Sequence, residues 1–203
     1  VWDYLNEVRK KAGEAGFDEI QFDYIRFAVD RTMNDVVFDD ADTQGRNKTQ
    51  AITEFIGYAH DELAKEGLFV SADVFGTIMR SEEDAAAVGQ EYEDMAEQLD
   101  YICPMIYPSH YGPGNFGIEY PDTQPYDTIL NALNGSRELL AASAKDDAPQ
   151  AVVRPWLQDF TASYLEHYIK YGDEQVRQQI QAVYDTGYDQ WILWDAGVSY
   201  HYG

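Results

Sequence analysis

The sequence predicts an α/β fold of the (β/α)8-barrel type, an incomplete barrel of about five parallel strands. Three observations predict it. Apolar spacing switches repeatedly between the helical period and runs of strand residues. The strand runs are rich in β-branched and aromatic residues, as expected where helices cover both faces of a parallel sheet. Connections after the strands are long (28 to about 46, 76–81, 108–124, 159–172), whereas those after the helices are mostly two or three residues. That asymmetry places the working face at the strands' C-terminal ends.

The elements follow in order. Leu5, Val8, Ala12 and Ala15 have helical spacing, Gly16 supplies a left-handed stop, and Glu19–Phe27 read as the first strand. Ile52, Phe55, Ile56, Ala59 and Leu63 form a helical stripe closed by Gly67, and Leu68–Phe75 follow as a strand. Ser81–Asp84, "SEED", resembles a capping box opening one helix whose apolar face continues through Tyr92, Met95, Ala96 and Leu99. The third strand is "YICPMIY", 101–107. Pro125 opens a helix carrying Ile129, Leu130, Leu133 and Leu140, which runs toward a polar linker at 144–150. "AVVRPWLQDF" (151–160) reads as one strand, Val176, Ile180, Val183 and Tyr184 as the last helix, and "QWILWDA" (190–196) as the fifth strand.

Composition narrows the function. The length of 203 residues suits a single domain, 1–203, with one sizeable core. With 37 acidic against 14 basic residues the formal net charge is −23, which repels phosphate backbones and disfavours nucleic acid as a partner. No stretch approaches the roughly 20 apolar residues that a membrane-spanning helix needs, so membrane insertion is not expected. The chain starts with Val1 and a charged amphipathic stretch, Trp2–Lys11, which reads as a piece cut from something longer. The single Cys103 lies in an apolar run and reads as a buried filler, leaving no disulfide framework. No dinucleotide fingerprint or P-loop follows any strand, and no cofactor is expected. "DRTMNDVVFDDAD" (30–42) holds five aspartates, but their spacing does not match a calcium loop; it reads as a solvated acidic loop with no metal.

The chemistry concentrates at the strand ends. Gln21 and Asp23 share one face of the first strand, while Ile20, Phe22 and Tyr24 share the other and suit a helix layer. Ser71 and Asp73 repeat that pattern on the second strand. An inward carboxylate is costly unless paired, and Arg26 is the candidate partner of Asp23. Two carboxylates on neighbouring strands suggest the acid and the base or nucleophile of glycoside hydrolysis, so Asp23 and Asp73 are the expected catalytic residues. Residues expected to bind sugar are Gln21, Arg26, Tyr107, His110, Tyr111, Arg154, Trp156, Gln158, Trp194 and Asp195, because aromatic faces beside hydrogen-bonding groups suit pyranose rings. Asp159 lies on the same rim, and His201 reads as solvated. The competing reading for each Trp is core packing, and for the whole chain a non-catalytic carbohydrate-binding module derived from such a barrel.

The strings "VWDYLNEVRKKAGEAGFDEIQFDYIRF", "VSADVFG", "GQEYEDMAEQLDYICPMIYPSHY", "RPWLQDF" and "VRQQIQAVYDTGYDQWILWDA" resemble, in order and throughout the chain, the bacterial putative glycosyl hydrolase domain family of the glycosidase TIM-barrel superfamily. The resemblance implies that strands four to eight of a barrel are present and strands one to three are not. It further implies a carbohydrate substrate and an extracellular or cell-envelope location, and it transfers no catalytic residue. A looser likeness to the family 18 chitinases aligns Asp18, Gln21 and Asp23 with the first three marked positions of Asp-x-x-Asp-x-Asp-x-Glu. Ile25 occupies the place of the proton-donating glutamate, so the chitinase mechanism does not carry over. Ala28 and Asp195 depart from the proline and asparagine usual in the putative glycosyl hydrolase family. A five-strand sheet leaves two open edges, which predicts pairing with another chain, including self-association, or with a second fragment, or an opening into a curved sheet.

Overall fold

A computed structural model describes residues 2–29, 35–144 and 149–201; the start of the acidic loop (30–34) and most of the polar linker (145–148) lie outside them, as does the Leu5 side chain. The fold is α/β, that of an incomplete TIM barrel with five parallel strands. In chain order it comprises α1 (Trp2–Glu14), β1 (Glu19–Phe22), α2 (Asp40–Thr43), α3 (Lys48–Ala64), β2 (Phe69–Phe75), α4 (Glu82–Val88), α5 (Tyr92–Ala96), β3 (Tyr101–Ile106), α6 (Pro125–Ser143), β4 (Val152–Val153), β5 (Trp156–Gln158), α7 (Asp173–Asp185) and β6 (Ile192–Trp194). The strand order is β1-β2-β3-β5-β6, with the two-residue β4 beside β3. The end strands β1 and β6 are four and three residues long, and short edges offer little backbone for further pairing.

Contacts divide the chain into two compact units, Val1–Ile102 with Ser143–Val152, and Cys103–Ala142 with Val153–Gly203. Each has its own core. In the first unit β1 and β2 pair in parallel with Gln21 opposite Ser71. Phe22 turns to the helix layer, where its ring meets Phe55 edge-on at 5.4 Å and the Arg9 guanidinium at 3.9 Å. Ile56, Ala59 and Leu63 on α3 and Val70, Ala72 and Val74 on β2 are fully buried. Asp100, just before β3, accepts from Val70 N at 2.7 Å through its side chain and donates its own N–H to Val70 O at 2.9 Å. Thus the entry of β2 is satisfied by a carboxylate rather than by water.

Three sequence expectations are corrected. The first strand stops at Phe22, not Phe27, because Asp23 Oδ1 accepts from Tyr24 N at 2.7 Å and Tyr24 takes a left-handed φ of 55°. The helix expected beyond "SEED" is two helices: Ser81 caps α4 by accepting from Asp84 N, and Gly89, at φ 77°, ends it before α5. The strand expected over 151–160 is split into β4 and β5, since Pro155 lacks the N–H that a continuous ladder requires.

In the second unit β5 pairs in parallel with β3 and with β6, setting Met105 opposite Trp156 and Gln158 opposite Trp194. Ile129 and Leu133 of α6, Leu157 of β5 and Val183 of α7 fill the core. Gln179, itself buried on α7, accepts from Gln158 N at 2.9 Å and donates to Gln158 O at 2.7 Å. A single amide therefore ties the helix to the backbone of β5.

Candidate active site

In the first unit the polar face of the strand pair is a ladder. Ser71 Oγ donates to Glu19 Oε1 at 2.6 Å, and two residues further on Gln21 Nε2 donates to Asp73 Oδ1 at 2.6 Å. Asp73 is 6% exposed on the interior strand, whereas Gln21 is exposed on the edge strand. Ordering both partners in one geometry gives the carboxylate a fixed donor where its desolvation would otherwise be costly.

Asp23 follows the last residue of β1 and is exposed. Its hold on Tyr24 N stabilises a left-handed residue with a bulky side chain, a strain of the kind that clusters at functional sites. The expected brace with Arg26 is not formed: among the described residues no ion pair joins Arg26 to Asp23. Arg26 instead lays its guanidinium over Phe75 at 4.9 Å and over Tyr24 at 5.4 Å. Phe75 stands two residues beyond Asp73 on the same face of β2.

Gln90, unremarked in the sequence, organises this end of the unit. It is 1% exposed; its Oε1 accepts from Phe75 N at 3.1 Å, and its Nε2 donates to Ile25 O and Asp73 O, both at 3.2 Å. Phe27 N adds a bond to Val88 O at 2.8 Å. One side-chain amide thereby fixes the main chain of both aspartate-bearing segments. Its only sequence signal is a polar residue directly after the glycine that ends α4.

In the second unit the rim residues divide. Tyr107 is buried, with its ring 5.2 Å from His110 and 5.9 Å from Phe160. His110 keeps an exposed edge, and loss of solvation in this packing pushes its pKa below the ordinary histidine value. Tyr111 is buried against Phe116 at 5.0 Å. Trp156 meets Trp194 edge-to-face at 5.9 Å, and Trp194 is 43% exposed at the end of β6. Asp195 accepts from Ser199 N at 2.8 Å and closes the turn that follows. Arg154 lies before β5, at the end opposite the rim, with Nη2 4.0 Å from the buried Cys103 sulfur.

Gln158 does not line the rim but supports it from beneath. It is fully buried; Oε1 accepts from Ser109 N at 3.0 Å, while Nε2 donates to Asp122 Oδ1 at 2.9 Å and Phe160 O at 3.0 Å. Asp122, which sequence reasoning missed, is 2% exposed and also accepts from Ile169 N at 3.3 Å. Burial pushes its carboxyl above the usual carboxylate range, and the bonds from Gln158, Ile169 and Tyr171 oppose that shift. His201 is not simply solvated: Asp159, 1% exposed, accepts from His201 N at 2.6 Å and holds His201 Nδ1 at 2.7 Å. A buried carboxylate that orients an imidazole in this way fixes which ring nitrogen faces outward. Among the described residues no cluster of three or more His, Cys, Asp or Glu side chains could hold a metal ion, and no helix is long and apolar enough to cross a membrane.

Parallel strands alternating with helices, with carboxylates and aromatic rings at the strands' C-terminal ends, are the arrangement of an incomplete TIM barrel. The chain belongs to the putative glycosyl hydrolase domain family, whose model matches residues 1–200. It is similar in fold to the PgaB (BpsB) glycoside hydrolase domain from Bordetella bronchiseptica, with 11% identity over 96% of this chain and 56% of that one at a TM-score of 0.58. The spore cortex-lytic enzyme SleL from Bacillus cereus matches at 12% identity over 97% of this chain and 50% of that one, with a TM-score of 0.59. A fungal β-1,4-galactanase structure matches at 10% identity over 95% and 56%, with a TM-score of 0.53. The chain spans about half the length of these solved structures. No curated protein matches it.

Proposed function

We propose that the chain acts as a glycoside hydrolase on a polysaccharide or cell-wall glycan, with Asp23 and Asp73 as its carboxylate pair. The observation that carries this reading is the treatment of Asp73. A nearly buried carboxylate on an interior strand receives a dedicated amide donor at 2.6 Å, and Gln90 fixes its backbone together with the segment that follows Asp23. Such preorganisation serves chemistry better than stability, because an apolar residue would fill the same place at lower cost. In the reaction one carboxyl protonates the leaving oxygen while the other attacks the anomeric carbon or activates a water. Arg26, in the segment after β1 with its guanidinium over the Phe75 ring at 4.9 Å, is a donor for a sugar hydroxyl; within the second unit, Trp194 has an exposed ring of the kind that stacks on a pyranose face. A cell-wall glycan as substrate would put the work outside the cytoplasm or in the envelope. The chitin-type substrate-assisted route does not apply, since Ile25 carries no acid.

The test compares the wild-type chain with Asp23→Asn and Asp73→Asn on bacterial cell-wall glycan, β-1,4-galactan and chitin, following new reducing ends. Each substitution is expected to lower turnover by about 10²- to 10⁴-fold while glycan binding and the melting temperature are retained. Turnover unchanged in either variant removes that aspartate from the mechanism. Binding without turnover in the wild type identifies a carbohydrate-binding module instead.

A further inference from the structure

A pocket of about 280 Å³ lies wholly within the second unit, lined by the segments Ser109–Pro113, Tyr120–Asp122 and Leu165–His167. The first segment follows β3 and the last follows β5, so the pocket is built from loops that leave the C-terminal ends of strands, where barrel proteins carry ligand sites. Neither Asp23 nor Asp73 contributes to it.

Its walls are rings. Tyr120 and His167 lie with centroids 3.9 Å apart, and Tyr111 and His110 complete the aromatic lining. His110 Nδ1 is engaged by Ser109 Oγ at 3.1 Å, which leaves Nε2 as the other polar atom of that ring. The buried Asp122 forms part of the floor and Glu166 part of the wall, and no lysine or arginine lines the pocket. An anion would therefore meet two carboxyl groups and neither lysine nor arginine, inside a chain of net charge −23. The volume falls just below the roughly 300 Å³ at which pockets for larger ligands begin, so it has room for one ring, not a chain. Next to the Leu165–His167 wall in sequence, Tyr164 is 70% and Tyr168 43% exposed, unusual for rings that serve only packing.

We infer that this pocket is a glycan subsite that takes a single uncharged pyranose unit, with the exposed tyrosines beside it serving the rest of the chain. Rings bind the apolar faces of a sugar, and imidazole, phenol and carboxyl groups take its hydroxyls. The choice of a sugar rests on the glycosidase reading, whereas the exclusion of anionic units rests on the pocket alone.

The test uses the full chain carrying Asp23→Asn, so that oligosaccharides remain intact, and hexamers of β-1,4-linked galactose, glucose and N-acetylglucosamine, with hexagalacturonate as the anionic control. Binding is measured by calorimetry, and the ring resonances of His110 and His167 are followed by NMR. At least one neutral hexamer should bind and shift both histidines, and Tyr120→Ala and His167→Ala should each weaken it by about tenfold or more. If no neutral hexamer moves these resonances, if both variants bind as the parent does, or if hexagalacturonate binds equally well, the inference is wrong. If the wild type cleaves no glycan while the tyrosine and histidine substitutions still abolish binding, the hydrolase reading fails and the subsite stands.

Discussion

Replacing Gln158 by Met removes one buried amide and keeps an unbranched side chain of similar length. Three groups then lose a partner: Ser109 N–H at 3.0 Å, the Asp122 carboxyl at 2.9 Å and Phe160 O at 3.0 Å. Each buried group left without a bond costs about 1–3 kcal/mol, more where it is charged. Discounting for relaxation and water entry, the total should be about 3–6 kcal/mol, a large part of the roughly 5–15 kcal/mol that holds a domain together. The assay is urea unfolding followed by near-ultraviolet circular dichroism, with the midpoint and slope compared between the two proteins. In an Asp122→Asn background the same substitution should cost less, because the carboxyl partner is already gone. A loss below about 1 kcal/mol in the native background would refute the claim that Gln158 holds the loops after β3 and β5 in place.

Two further outcomes test the fold and its electrostatics. Gly89→Ala should destabilise the chain by about 1–3 kcal/mol in a thermal melt, since a Cβ there would sit 2.9 Å from Lys48 Cβ and 3.1 Å from Lys48 O, at a φ of 77°. Asp122 should make stability fall as pH rises. Below its ordinary value of 3.8 both the folded and unfolded states hold the proton; above it the unfolded chain releases the proton first, and the preference for the folded state is lost as pH passes through the raised folded value. Asp122→Asn should therefore flatten this part of the stability profile, which unfolding at stepped pH between about 3.5 and 7 will show.

The alternation of elements was legible because helix and strand periods are properties of neighbouring residues. The stripe Ile52–Leu63 and the strand at Phe69–Phe75 lie where their spacing puts them. That Gln21 and Asp73 lie on the polar faces of their strands was also within reach, since alternation along a strand assigns faces. What escaped depends on long-range hydrogen bonds. Nothing in "GQEY" shows that Gln90 will reach both Ile25 and Asp73, and nothing local to Asp122 shows that Gln158 and Ile169 will enclose it. The early end of β1 turned on one Asp side chain competing with the ladder for a backbone N–H, a choice that apolar periodicity does not encode. Arg154 was misplaced for a related reason: Pro155 moves the start of β5, so a residue that looked like rim lies at the strand's opening end.

The diagonal geometry of the β1–β2 ladder has a consequence for folding fidelity. Each polar residue of β1 meets the residue two beyond its partner on β2, so a one-residue slip would expose Phe22 and send Gln21 toward the helices. A two-residue slip would keep the faces but bring Glu19 against Asp73 in one direction and Asp23 against Asp73 in the other, two like-charged encounters. The neutral amide between two acids in Glu-x-Gln-x-Asp thus favours the native alignment over either two-residue slip, a preference that adds to the one set by the burial of Phe22.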